Sequence, residues 1–187
     1  MRIISGKYGS RTIQAVPGTS TRPTTDKVKE AIFSRIGPYF DGGQMLDLFA
    51  GSGAMSLEAI SRGFDFSVLV DKDFKACRTI QDNIKALGVK DQCALYKQDV
   101  MDAVKRVADE HRQFDLIFMD PPYAKQKIVE ILTLIDELDL LKKQGDVIAE
   151  CAVEDELPLE VGRLKQIKTA TYGITRITYF KQEENHE

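Results

Sequence analysis

The 187-residue sequence has little cysteine, little histidine and no long apolar run. Its three cysteines, Cys77, Cys93 and Cys151, are odd in number, widely spaced and outside any CxxC pair, so neither a disulfide framework nor a zinc-ligand spacing is present. Two histidines, one of them His186 in the tail, disfavour a His-rich metal centre, and no metal is expected. No stretch approaches the roughly eighteen consecutive apolar residues that span a bilayer. The amino terminus MRIISGKYGSR lacks the apolar segment of a secretory signal, so a cytoplasmic location is the expectation. Internal repeats and low-complexity tracts are also absent. What remains is an ordinary globular composition, 43% apolar and 29% charged, long enough for one well-buried α/β domain with an appendage.

Charge is unevenly placed. The chain carries a net −3, yet residues 1–37 hold seven cations (Arg2, Lys7, Arg11, Arg22, Lys27, Lys29, Arg35) against Asp26 and Glu30. A basic arm on an acidic body points to a local anionic partner, with Arg2, Lys7, Arg11 and Arg22 as its contacts.

The pattern along the chain divides it into an extension, 1–37, and a core, 38–187. RIISGKYGSRTIQAV alternates loosely around two glycines and reads as a short hairpin or two irregular strands. PGTSTRPTT is a loop, with Thr24 or Thr25 placed to cap a helix whose apolar positions are Val28, Ala31, Ile32 and Ile36. Strands at 45–49, 67–70, 93–96, 116–119 and 146–151 then alternate with helices at 53–62, 73–87, 100–110 and 126–137. That alternation specifies a doubly wound, Rossmann-like parallel sheet. After residue 160, two β-rich runs hinged at Tyr172-Gly173 read as an antiparallel hairpin closing the sheet, seven strands in all.

Chemistry-bearing residues collect where these strands end. In DLFAGSGAMSLEA, Asp47 lies in the first core strand, and Gly51 and Gly53 form the turn into a helix; ligands of open α/β sheets bind at such loops. The dinucleotide fingerprint asks for a third glycine where Ser56 stands, which disfavours NAD. Asp71, twenty residues after Gly51, can accept from both hydroxyls of an adenosine ribose, and Asp99 after the third strand can reach an adenine edge. An adenosine ligand is expected.

FMDPPYAK, residues 118–125, ends an apolar strand on a carboxylate followed by two prolines. The prolines give a stiff extended wall whose carbonyls are free to accept hydrogen bonds. An exocyclic amine fits between the Asp120 carboxylate and the Pro121 carbonyl, with Pro122 stiffening the wall and Tyr123 stacking on the base that carries the amine. Holding both N–H groups turns the nitrogen lone pair toward an electrophile. The strand ending at Asp120 is expected to neighbour the first, so that DPPY and the glycine loop face one cleft.

DLFAGSGAMSLEA, VDKD and DPPY, in this order, resemble the class I S-adenosylmethionine-dependent methyltransferases that modify amino groups. With RPTTDKVKEAIF, the RIISGKYGSR terminus and YGITRITYF, the chain resembles, over nearly its whole length, the RsmD family of bacterial 16S rRNA (guanine, 2-amino) methyltransferases. The resemblance implies S-adenosyl-L-methionine as cofactor and 16S rRNA, within a small-subunit particle, as partner. It implies Asp47, Phe49, Ala50, Gly51 and Gly53 around the methionine part, Asp71 on ribose, Asp99 and Val100 near adenine, and Thr24 and Thr25 of RPTT beside cofactor and target. It gives Lys72 no role. Adenine amines in DNA or RNA, a glutamine amide, a non-enzymatic assembly role and a nucleotide-dependent oxidoreductase stay open as alternatives.

Overall fold

A computed structural model describes residues 1–18, 25–122 and 124–183. The chain forms two compact units, Met1–Val100 and Met101–Glu187.

In the first unit, three parallel strands, β1 (Gln44–Leu48), β2 (Phe66–Val70) and β3 (Cys93–Tyr96), lie in the order β3-β2-β1. Their apolar runs bury Met45, Leu46, Leu48, Val68, Leu69 and Val70. Helix α1 (Asp26–Ile36) is capped by Thr25, whose Oγ accepts from Val28 N. It buries Val28, Lys29, Ile32 and Phe33, a stripe that includes a lysine in place of the expected Ala31 and Ile36. Helix α3 (Phe74–Leu87) starts on the Asp73 side chain and stops at Gly88, which is left-handed at φ 69°.

Helix α2 (Ala54–Ser61) has no exposed face: all eight residues are buried. Its cover is the N-terminal segment, in which the expected hairpin is reduced to one bridge, Arg2 to Thr12, flanked by Ile3 N donating to Arg11 O and Ile13 N to Met1 O. Glu58, fully buried, accepts from Ile4 N (2.8 Å), Ser5 N (3.2 Å) and Arg62 Nε (2.7 Å), and lies 3.4 Å from Lys29 Nζ. Lys29 Nζ in turn donates to Arg2 O at 2.6 Å. Desolvation pulls the Lys29 ammonium below the ordinary lysine range, opposed by the charges of Glu58 and Asp26.

In the second unit, most of helix α4 (Val100–Asp109) precedes β4 (Phe114–Met119), α5 (Ala124–Glu137) and β5 (Leu141–Ala152). Then come β6 (Glu160–Val161), β7 (Leu164–Tyr172) and β8 (Thr175–Gln182), in the order β4-β5-β8-β7-β6. β4 and β5 are parallel; β8 runs antiparallel to both β5 and β7, and Gly173, at φ 60°, turns the expected hairpin. The two-residue β6 is the strand beyond the expected seven. β5 begins five residues early, because Leu141 pairs with Phe114 before the register jumps to Leu116 and Asp146. Among the described residues no helix is long and apolar enough to cross a membrane.

Removing one partner from a buried ion cluster costs about 3–5 kcal/mol. Glu58→Ala, which strands Lys29 and Arg62, is expected to lose that much in denaturant unfolding; a loss below about 1 kcal/mol, the range of a surface pair, would show the cluster to be dispensable.

Candidate functional site

The glycine loop is built on a buried carboxylate. Asp47, in β1, accepts from Ser56 Oγ at 2.6 Å, and Ser56 Oγ also shares a hydrogen bond with Ser67 Oγ at 2.8 Å. The residue standing where a dinucleotide fingerprint needs glycine is therefore the hydroxyl that satisfies Asp47. Burial pushes the Asp47 carboxyl up to about 7, with the Ser56 hydrogen bonds pulling the other way and the Asp71 charge adding to the rise.

The chain then turns through Phe49 at φ 61°, a conformation rare for a residue with a side chain, to Gly51 and Gly53. A methyl group on Gly51 (φ 59°) would meet no atom of the described residues within 4 Å, and the left-handed turn itself calls for glycine there. Gly53 (φ 84°) is doubly required, since a Cβ would also sit 3.2 Å from Leu69. Ala50 N donates to Val70 O, and Gly51 N to Asp71 Oδ2 at 2.9 Å. The second oxygen of Asp71 accepts from Asp73 N, also at 2.9 Å. Each Asp71 oxygen thus holds one backbone N–H and keeps lone pairs toward other donors.

Val70 pairs with Tyr96, so Asp71 and Asp99 follow the same ends of adjacent strands as the loop after β1. Asp99 lies 4.0 Å from the exposed Lys72 ammonium, and Val100 is buried at the start of α4. Gly51, Asp71 and Asp99 therefore share the carboxyl end of the first unit's strands. Thr25 caps α1; Thr24 and Arg22 lie outside the described residues.

The basic arm is less free than its composition suggests. Lys29 is buried in the Glu58 cluster, Arg2 Nε lies 3.6 Å from Asp26, and Arg11 donates to Ala86 O at 2.9 Å. The Lys7 ammonium sits 5.5 Å from the centre of the Tyr8 ring. Lys29 counts toward the arm's charge in the sequence, but the buried carboxylate Glu58 on another helix takes it out of reach of a partner.

In the second unit, half-buried Asp120 follows β4, Pro121 is buried and Pro122 exposed; Tyr123 lies outside the described residues. The parallel register pairs Met119 with Ala149, so the next residues are Asp120 and Glu150. Glu150 is 8% exposed. It lies inside β5, paired with Ile177, two residues before that strand ends, and an acidic residue within an apolar strand leaves no turn signal to single it out.

A carboxyl raised in the fold binds more protons folded than unfolded between its two pKa values, so the Asp47 contribution to stability falls as pH rises from about 4 through about 7. Asp47→Asn, which keeps an acceptor for Ser56, is expected to remove that decline, with the largest gain over wild type above pH 7, on the order of a few kcal/mol at 1.36 kcal/mol per unit. Parallel stability–pH curves for the two proteins would contradict the assignment.

Comparison with known proteins supplies the lineage. The family described as "Conserved hypothetical protein 95" matches residues 1–181. YlbH of Bacillus subtilis (strain 168), provisionally named an rRNA methyltransferase, is 50% identical over 97% of this chain and 99% of its own. "Ribosomal RNA small subunit methyltransferase D" of Buchnera aphidicola (subsp. Acyrthosiphon pisum) is 31% identical over 79% of this chain and 76% of its own. The solved structure of yhhF from Escherichia coli, provisionally described as a methyltransferase, superposes with a TM-score of 0.82 at 26% identity, covering 98% of both chains. On a match spanning 181 residues and relatives alike nearly end to end, this chain belongs to the Conserved hypothetical protein 95 family, the RsmD family that its motifs resemble.

Proposed function

We propose that this protein transfers a methyl group from S-adenosylmethionine to the 2-amino group of a guanine in 16S rRNA, acting in the cytoplasm on a small-subunit particle. The observation that carries the reading is the Asp71 carboxylate, tied to Gly51 N and Asp73 N and still able to accept from the two hydroxyls of a ribose. Among the described residues nothing stands within 4 Å of a methyl placed on Gly51, which suits a ligand laid across the loop. The donor set thus fits an adenosine-bearing cofactor, with Asp71 on ribose, Asp99 and Val100 toward adenine, and Phe49, Ala50, Gly51 and Gly53 toward the methionine part. Asp47 supports that loop from beneath, through Ser56 and α2. Thr24 and Thr25 stand beside cofactor and target. The names of the relatives support rRNA as the substrate; the guanine nitrogen follows from the DPPY reading and the family resemblance.

S-adenosylmethionine supplies, when bound, an electrophilic methyl group on a sulfonium. The protein supplies alignment. The Asp120 carboxylate and the Pro121 carbonyl would accept the two N–H groups of the amine, turning its lone pair outward and stabilising positive charge as the new N–C bond forms and the S–CH3 bond breaks, which leaves a neutral thioether; the extra proton on the nitrogen would then pass to water. Pro122 keeps that wall extended, and Tyr123 stacks on the purine. A guanine paired in a helix hides this amine, so the base is taken unpaired or flipped out. Arg2, Lys7, Arg11 and Arg22 meet rRNA phosphates.

Small subunits from cells lacking the protein, incubated with purified enzyme and isotopically labelled S-adenosylmethionine, are expected to gain one methyl at a guanine N2, read by mass mapping of rRNA fragments. A label on adenine or on a glutamine side chain would refute the target. Asp120→Ala is expected to slow turnover about 100-fold or more, the scale of one lost electrostatic group at a reacting centre, with cofactor affinity little changed. Loss of cofactor binding in that variant would remove Asp120 from the amine.

A further inference from the structure

Residues 11–18 lie along α3 in the opposite direction. Arg11 Nη2 donates to Ala86 O near the helix C-terminus. At mid-helix, Asn83 Oδ1 accepts from Gln14 N at 2.8 Å, and Asn83 Nδ2 donates to both Gln14 O and Ser52 O at 2.9 Å. Near the helix start, a methyl on Gly18 would stand 3.8 Å from Lys75 Nζ. Arm and helix therefore form one continuous surface, and the buried Asn83 ties it to the glycine loop through the Ser52 carbonyl.

The outer face of this composite is basic and carries a bare aromatic ring. Of nine phenylalanines, Phe74 alone is exposed, at 74%. Arg78 follows it by four residues, on the same helical face, and Lys75 and Arg78 are both exposed. Between residues 72 and 90 five cations face two carboxylates in a chain of net charge −3. One of those carboxylates, Asp73, is spent capping the helix at Ala76 N; the other, Asp82, stays on the exposed side.

We propose that Arg11, Lys75, Arg78 and Phe74 form a docking surface for single-stranded RNA, the cations on phosphates and the Phe74 ring stacked on an unpaired base. Charge complementarity selects a polyanion, and the uncovered ring beside the cations selects one with exposed bases over a duplex. The inference rests on the rRNA reading above and extends it, since it places an RNA contact on α3, where the sequence suggested only the arm.

The test is fluorescence anisotropy with a labelled single-stranded RNA of about 16 nucleotides, the upper site size for one small binding domain, and with the same sequence as a duplex. Phe74→Ala is expected to weaken single-strand binding roughly tenfold and duplex binding little, with Phe74→Trp restoring it. Lys75→Ala with Arg78→Ala is expected to flatten the dependence of log affinity on log salt by about 1.4, or 0.7 for each lost phosphate contact. Lys168→Ala, exposed on β7, is the control for nonspecific charge and should bind as wild type. Equal single-strand affinity in wild type and Phe74→Ala, an equal loss in Lys168→Ala, or displacement of RNA by polyglutamate as readily as by unlabelled RNA would each overturn the surface. Loss of S-adenosylmethionine affinity in Phe74→Ala would move the ring to the cofactor and overturn it too. Failure of wild type to bind RNA at all would defeat the rRNA reading itself, a result distinct from the variant outcomes.

Discussion

One carboxylate without solvent exposure, Glu58, organises the first unit. It holds two backbone N–H groups of the N-terminal segment, the Arg62 guanidinium of its own helix and the Lys29 ammonium of α1. A buried charge is tolerable only when its lone pairs are filled, so these three pieces of chain are obliged to meet. The result is a helix, α2, covered on every side. Gly6 fits this cover closely: it adopts φ 89° and leaves no room for a side chain against Ser61 O.

Fixing α2 fixes what precedes it. The helix carries Ser56 to Asp47, and its left-handed cap Gly53 ends the loop that begins at Phe49. The loop amide at Gly51 then finds Asp71. A core contact, a strained turn and the Asp71 carboxylate are in this way one construction: sterically costly backbone at Phe49 persists because the surrounding hydrogen bonds over-determine it.

Strands were legible in the sequence wherever burial on both faces demanded a continuous apolar run, as in β1, β2 and β4. Cap chemistry was legible at Thr25 and Gly173, because a side-chain acceptor and a left-handed turn leave a residue-level mark. The places of Asp71 and Asp99, just past β2 and β3, were legible from the apolar runs that precede them, while the hydrogen bonds of Asp71 to Gly51 N and Asp73 N were not. The Lys29–Glu58–Arg62 cluster was not, since charges spaced at the helical period have the same pattern whether they face water or each other. The early start of β5 at Leu141 was hidden by exposed Lys142, Lys143 and Gln144, polar residues that look like a loop until the pairing with Phe114 is seen. Lys72, given no role from sequence, reaches Asp99.

The central claim is that the loop from Phe49 to Gly53, set by Asp71, receives an adenosine attached to a methionine and not a dinucleotide. Titration calorimetry of wild type and Asp71→Ala with S-adenosylmethionine and with NAD addresses it directly. The account predicts that wild type binds S-adenosylmethionine and not NAD, and that Asp71→Ala binds it about 100-fold more weakly, as expected for two lost charge-assisted hydrogen bonds. Equal binding of S-adenosylmethionine by the two proteins, or preference of wild type for NAD, would contradict it.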